Sequence, residues 1–238
     1  MIKTWKLLAV ALLILVVAAG ATLWYKLYHV EAQPSSMTNS EQNRYFYGSV
    51  GASETTGIPY WLWLAMPRLF PEHMPGLGGY ASLGMAWEEG TEMPIGFAKQ
   101  QVGYVRVTGN CALCHVMTRP TQPDQAPQIL PAVAGKTTDI QPLLKFLHDC
   151  AADPRFNADE FFPEIDSDTS LSLIDKALYR YVLIPRTRKA LLNDPAGIIF
   201  STAIQAHRQN LQSDAPLSDS EIAKLRDYIR KQSQRPSP

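Results

Sequence analysis

The longest apolar run comes first. Leu7 to Tyr25 holds nineteen residues without a charge, enough to cross a hydrocarbon core as a helix. Lys3 and Lys6 precede it, which places the N-terminus in the cytoplasm by the positive-inside rule, and Trp5, Trp24, Tyr25 and Tyr28 fall where interfacial aromatic residues belong. Ala19-Gly20-Ala21 offers a small-x-small cleavage site, so a removed signal peptide is the alternative. The run continues four residues past that site, which favours an uncleaved anchor over residues 1–29. Either way, the rest of the chain is expected outside the cytoplasm.

Beyond the anchor the apolar positions are shorter and more broken. Residues 30–44 are polar, with Gln33-Pro34-Ser35-Ser36 and Asn39-Ser40-Glu41-Gln42-Asn43, and read as a tether holding a domain off the bilayer. Ile58 to Pro67 is strongly apolar but bounded by prolines, which limits it to a helix of about two turns. A core helix is preferred there over one lying in a membrane interface. From Met74 to Phe97 glycines punctuate an irregular run, read as a loop laid against the domain because it lacks the spacing and following helix of a phosphate-binding loop.

Tyr104-Val105-Arg106-Val107 alternates briefly, and Pro120 to Pro131 reads as an extended connection. Leu143, Leu144, Phe146 and Leu147 mark an amphipathic helix over 140–152 that contains His148 and Cys150. Ser218-Asp219-Ser220-Glu221 is a capping box, with Leu217 and Ile222 placed as a hydrophobic staple. The pattern therefore predicts a closing helix over 219–232 and a frayed tail over 233–238. The expected organisation is one mainly α, loop-rich domain over 45–232 behind an N-terminal transmembrane helix.

Charge changes this picture little. Lys plus Arg and Asp plus Glu each number 22, so the basic surplus that a nucleic-acid partner requires is missing. Locally the signs separate: residues 149–168 hold seven acidic residues and one arginine, and 176–189 hold five basic residues. Such runs are usually solvated faces; a docking patch for a redox partner is the sharper reading.

The cysteines carry the chemistry. Of three in the chain, two stand in Cys111-Ala112-Leu113-Cys114-His115, which is Cys-x-x-Cys-His, the attachment sequence of a c-type haem. Two thiols at this spacing can each form a thioether on one porphyrin edge, and the adjoining His115 then reaches the iron as proximal ligand. A structural zinc site would need two further Cys or His ligands at suitable spacing, and a thioredoxin-like pair would leave His115 without a role. One covalently attached haem c is therefore expected, and the 18 prolines at 18% charged residues suit a chain wrapped around a large planar cofactor. Arg106 is a candidate for a haem propionate, with solvated arginine as the alternative. Cys150, left alone, is expected to be buried as a small hydrophobe.

Leu217 to Ile229 resembles the last helix of small cytochromes c. Gly57-Ile58-Pro59-Tyr60-Trp61, Pro75 to Gly84, Asn110 to His115, Asp153-Pro154-Arg155-Phe156-Asn157 and Ile184 to Leu192 resemble the N-terminal haem half of di-haem cytochrome c peroxidase-like and rubber-oxygenase-like proteins, over roughly residues 45–195. The resemblance implies a haem domain bearing Cys111, Cys114 and His115. Those proteins continue into a second haem half, whereas this chain has no second Cys-x-x-Cys-His, so peroxidase chemistry is not carried over to it alone.

Function then turns on the iron's sixth position. A His or Met there makes an electron carrier, and an open position admits O2 or peroxide. No methionine follows Met117. His207, ten residues before Leu217, stands about where that ligand would fall, ahead of His148 and Met93 as candidates. The expectation is a cytochrome c tethered by a single span to the bacterial inner membrane, its haem domain in the periplasm, performing one-electron transfer with a redox partner protein. A haem enzyme of peroxidase or oxygenase type, or a subunit of one, is the alternative, and a haem-based sensor a third.

Overall fold

A computed structural model describes residues 2–31, 33, 40–50, 56–120, 127–133 and 135–200. Of the described residues 57% are helical and 12% lie in strands, which bears out a mainly α chain. The closing helix expected over 219–232, the frayed tail and His207 lie outside the described residues.

In chain order, α1 (Ile2–Tyr28) and α2 (Glu41–Tyr47) precede a two-residue strand β1 (Ile58–Pro59) that runs straight into α3 (Tyr60–Leu69). Two short 3-10 turns, Pro71–His73 and Gly79–Leu83, lead to a hairpin of β2 (Phe97–Val102) and β3 (Tyr104–Gly109). One helical turn, α4 (Ala112–His115), is followed by a second hairpin, β4 (Val116–Arg119) with β5 (Gln128–Pro131). The rest is helical: α5 (Ile140–Ala152), α6 (Ala158–Asp166), α7 (Leu173–Leu178), α8 (Ile184–Asn193) and α9 (Pro195–Ile199).

α1 is the one described helix long and apolar enough to cross a membrane, over Trp5–Tyr28, with none of that span buried against the protein. A signal sequence shares those properties. The expected tether is corrected at both ends. Val30 bridges to Val102, Glu31 N–H donates to Gln101 O (3.0 Å), and the Gln33 amide bonds Lys99 O (2.9 Å), Tyr47 O (3.3 Å) and Ser49 N–H (2.9 Å). α2, capped by Ser40 accepting from Asn43 N–H, buries Phe46 and Tyr47 completely or nearly so. Polar composition concealed this, because the amide of Gln33 serves backbone groups that a strand neighbour would otherwise satisfy.

The sheet has the order β1-β3-β2, antiparallel throughout, with Ile58 opposite Val107 and Lys99 opposite Val107 on its other side. Pro59 is tolerated because β1 is an edge. β2 was not foreseen: Phe-Ala-Lys-Gln-Gln-Val has too little alternation to read as a strand by itself. The last residues of the Pro120–Pro131 stretch form β5, which pairs with β4 just ahead of the stretch, Val116 opposite Pro131.

α3 behaves as the core helix expected of it, burying Tyr60, Leu62, Trp63, Ala65 and Met66. Trp63 stacks on Tyr80 at 4.2 Å, and the Tyr80 hydroxyl donates to Trp63 O. Tyr80, Leu83, Met85, Met93 and Ile95 are all buried, so the glycine-punctuated run builds core as well as surface. α5 spans the residues its periodicity predicts, burying Leu143, Phe146, Leu147, Cys150 and Ala151 at helical spacing. Cys150 is fully buried, as expected, and burial pushes its thiol pKa far up.

The acidic and basic runs meet each other. Arg180 pairs with Asp159 (2.7 Å), Lys176 with Asp166 (2.8 Å), and Arg188 donates to Ala151 O and Asp153 O. Exposed pairs of this kind contribute little individually, but much of the local charge separation is spent within the chain. The wide helical turn at Tyr179–Leu183 precedes Pro185, whose missing N–H leaves an i−4 carbonyl that an ordinary turn would strand.

Candidate functional site

The Cys-x-x-Cys-His stretch begins where β3 ends. Asn110, almost fully buried, fixes the change of direction: its N–H donates to Gly96 O (2.9 Å), its side-chain amide to Phe46 O (3.1 Å) and Gly48 O (3.0 Å), and its Oδ1 accepts from Ala112 N–H (2.9 Å). Asparagine before a helical turn is a capping signal, and here it also joins the turn to α2. One helical turn follows, closed by Cys114 N–H and His115 N–H, both donating to Cys111 O.

Ala112 and Leu113 anchor that turn by facing inward, each 1% exposed. Gly96 makes room for it. At φ +95°, Gly96 lies so close that a Cβ would stand 2.4 Å from Leu113 Cα, so no other residue allows the approach. With positions 112 and 113 committed to the core, Cys111, Cys114 and His115 occupy i, i+3 and i+4 on the outward face. Cys111 and His115 are exposed, Cys114 is half-buried, and both cysteines are free thiols. Burial raises the Cys114 pKa, with Lys136 working against it.

His115 is held in a defined orientation. Its Nδ1 lies 3.2 Å from Val133 O; a carbonyl can only accept, so Nδ1 carries the proton and the Nε2 lone pair is left for a metal. Nε2 has no hydrogen-bond partner among the described residues. The His115 carbonyl accepts from Val133 N–H (3.1 Å) and from the Tyr45 hydroxyl (3.1 Å), so the β4–β5 hairpin and α2 grip the same residue. Ala132, beside it, adopts a left-handed φ of 55°.

No family model, curated protein or solved structure matches this chain. The site is therefore judged on its chemistry. Among the described residues, the one group of three Cys, His, Asp or Glu side chains whose ligand atoms converge is Glu72, His73 and Asp153. The Glu72–His73–Asp153 group already holds the Arg155 guanidinium, which bonds both carboxylates.

The other candidates are placed elsewhere. Arg106 is 2% exposed, and its guanidinium donates to Val102 O (3.2 Å), Thr56 O (3.2 Å) and Leu27 O (3.4 Å) while lying over the Tyr104 ring. The structure thus gives Arg106 a structural task at the end of α1, and its burial departs from the solvated arginine that was the alternative. His148 is exposed on α5, and Met93 is buried in the core. Tyr45, Gly96 and Val133 belong to the site and were missed. Only the glycine carried a signal, and it lay among several others.

Proposed function

We propose that the chain is a membrane-anchored, mono-haem c-type cytochrome of the bacterial inner membrane. The observation that carries this is the single helical turn presenting two free thiols and an Nδ1-protonated imidazole outward, with Ala112 and Leu113 rooted in the core. Cys111 and Cys114 would hold the haem by thioethers, and His115 Nε2 would be its proximal ligand. Bound haem supplies an iron that exchanges one electron between two oxidation states.

The chain's own residues do the rest. Val133 O fixes the tautomer and plane of His115. Tyr45 and Val133 N–H hold its backbone from two directions. α1, read as an uncleaved span, keeps the domain at the outer face of the membrane, where a redox partner protein would exchange electrons with it. His207 is the candidate sixth ligand on sequence grounds alone.

Two variants and a spectrum test the proposal. Cys111→Ala and Cys114→Ala should each lose haem that survives a denaturing gel, and retained staining of both would overturn the covalent attachment. A low-spin spectrum indifferent to carbon monoxide, turned high-spin by His207→Ala, is the expected result for an electron carrier. A high-spin spectrum that shifts with carbon monoxide would instead support a peroxidase- or oxygenase-like enzyme or a sensor.

A further inference from the structure

α1 does not leave the domain freely. Gly103, at φ +72°, lies so close to the helix end that a Cβ would stand 2.1 Å from the Leu27 carbonyl carbon, and its N–H donates to His29 O (2.5 Å). Arg106 bonds Leu27 O, and Lys26 pairs with Asp175 at 2.9 Å. These contacts fix the angle and depth of the domain relative to the helix.

That depth is informative. An apolar groove of about 430 Å³ runs between α1 and the α7 region, walled by Ala19 and Leu23 on one side and by Ile174, Ala177, Leu178 and Val182 on the other. Its two polar wall residues are already satisfied: the Thr22 hydroxyl bonds Ala18 O in its own helix, and Lys26 bonds Asp175. Ala19 lies nine positions before Tyr28, about 13 Å down the helix. If α1 crosses the bilayer, Ala19 and Leu23 are inside the hydrocarbon core, whose half-thickness is about 15 Å. The residues facing them across the groove share that depth.

The same segment exposes large apolar side chains that water does not favour: Leu173 is 86% exposed, Ile174 60% and Tyr181 75%. Trp24 and Tyr25, also exposed on α1, supply aromatic residues suited to the interface just above. We infer that the apolar side chains of α7 and Tyr181 are seated at the headgroup–acyl boundary of the outer leaflet beside α1, with the paired charges of Lys176 and Arg180 left to the headgroups and a phospholipid acyl chain in the groove, so that the domain has a second membrane contact. This rests on reading α1 as a membrane span and goes beyond it. It also replaces a domain held off the bilayer with one lying against it.

The test uses the full chain in vesicles of phosphatidylethanolamine and phosphatidylglycerol containing a phospholipid with a photoactivatable acyl chain, labelled residues being read by mass spectrometry. Label is expected both within residues 7–26 and within 173–182. The double variant Leu173→Asn, Ile174→Asn should lose the second set to background while keeping the first. Label on residues 7–26 with none on 173–182 would overturn the inference and leave the span standing; label on neither would overturn both.

Discussion

Asn110 does more at the candidate site than any residue that would touch a cofactor. It is buried, and its side chain serves three backbone groups: Phe46 O and Gly48 O at the end of α2, and Ala112 N–H in the Cys111–His115 turn. Asn110→Ala leaves Phe46 O with Gly96 N–H alone and takes from Gly48 O and Ala112 N–H their Asn110 partner, at a cost of about 2 kcal/mol or more. The urea midpoint should fall and haem incorporation should fall with it; an unchanged midpoint would contradict this role. Arg155 gives a pH-dependent counterpart. Its guanidinium, bonded to Asp153 and Glu72, is the main reason the Asp153 carboxyl lies well below the usual range; Glu72 is lowered by its own backbone N–H and then by Arg155. A carboxyl depressed in the folded state contributes stability above its unfolded value near 4 and loses it as pH falls through the folded pKa. Arg155→Gln should therefore lower the urea midpoint at pH 7, and the gap to the parent chain should persist to about pH 5 and close below pH 4. A gap unchanged at pH 3 would contradict the linkage.

At the scale of elements, the β2–β3 hairpin is the piece that joins site to membrane. Its far end turns into Asn110 and the haem-type motif, and its tip at Gly103 receives the end of α1. Gly103→Ala introduces both strain at a positive φ and a clash with Leu27, which should unseat α1 without disturbing the core. Limited proteolysis of the full chain in detergent should then cut near residues 29–33 faster than in the parent chain; equal rates would show that the clamp is not holding. Of this hairpin, β3 showed a brief alternation at Tyr104–Val107 and β2 none. β2 is polar on much of its length because Lys99 and Gln101 face partners at the surface, so the two-residue period was absent. α3 and α5, by contrast, bury one face against the core, and their spacing showed it. The motif itself was legible because Cys-x-x-Cys-His is defined by residue type and spacing alone. Its supports, Tyr45 and Val133, act through a hydroxyl and a backbone carbonyl, which leave no comparable mark on a sequence.

At the scale of the whole molecule, a helix with the properties of a membrane span is clamped to a mainly α domain whose outward turn presents Cys111, Cys114 and His115. Among the described residues the acidic and basic runs pair with each other at Lys176–Asp166 and Arg180–Asp159, and Leu173, Ile174 and Tyr181 expose apolar surface on the α7 segment. The most direct test of the central claim is the intact mass, in denaturant and reductant, of the full chain purified from bacteria carrying the c-type maturation machinery. The expected mass is that of the polypeptide plus one haem, with Cys150 as the single thiol open to alkylation. A bare polypeptide with three alkylated cysteines would contradict it.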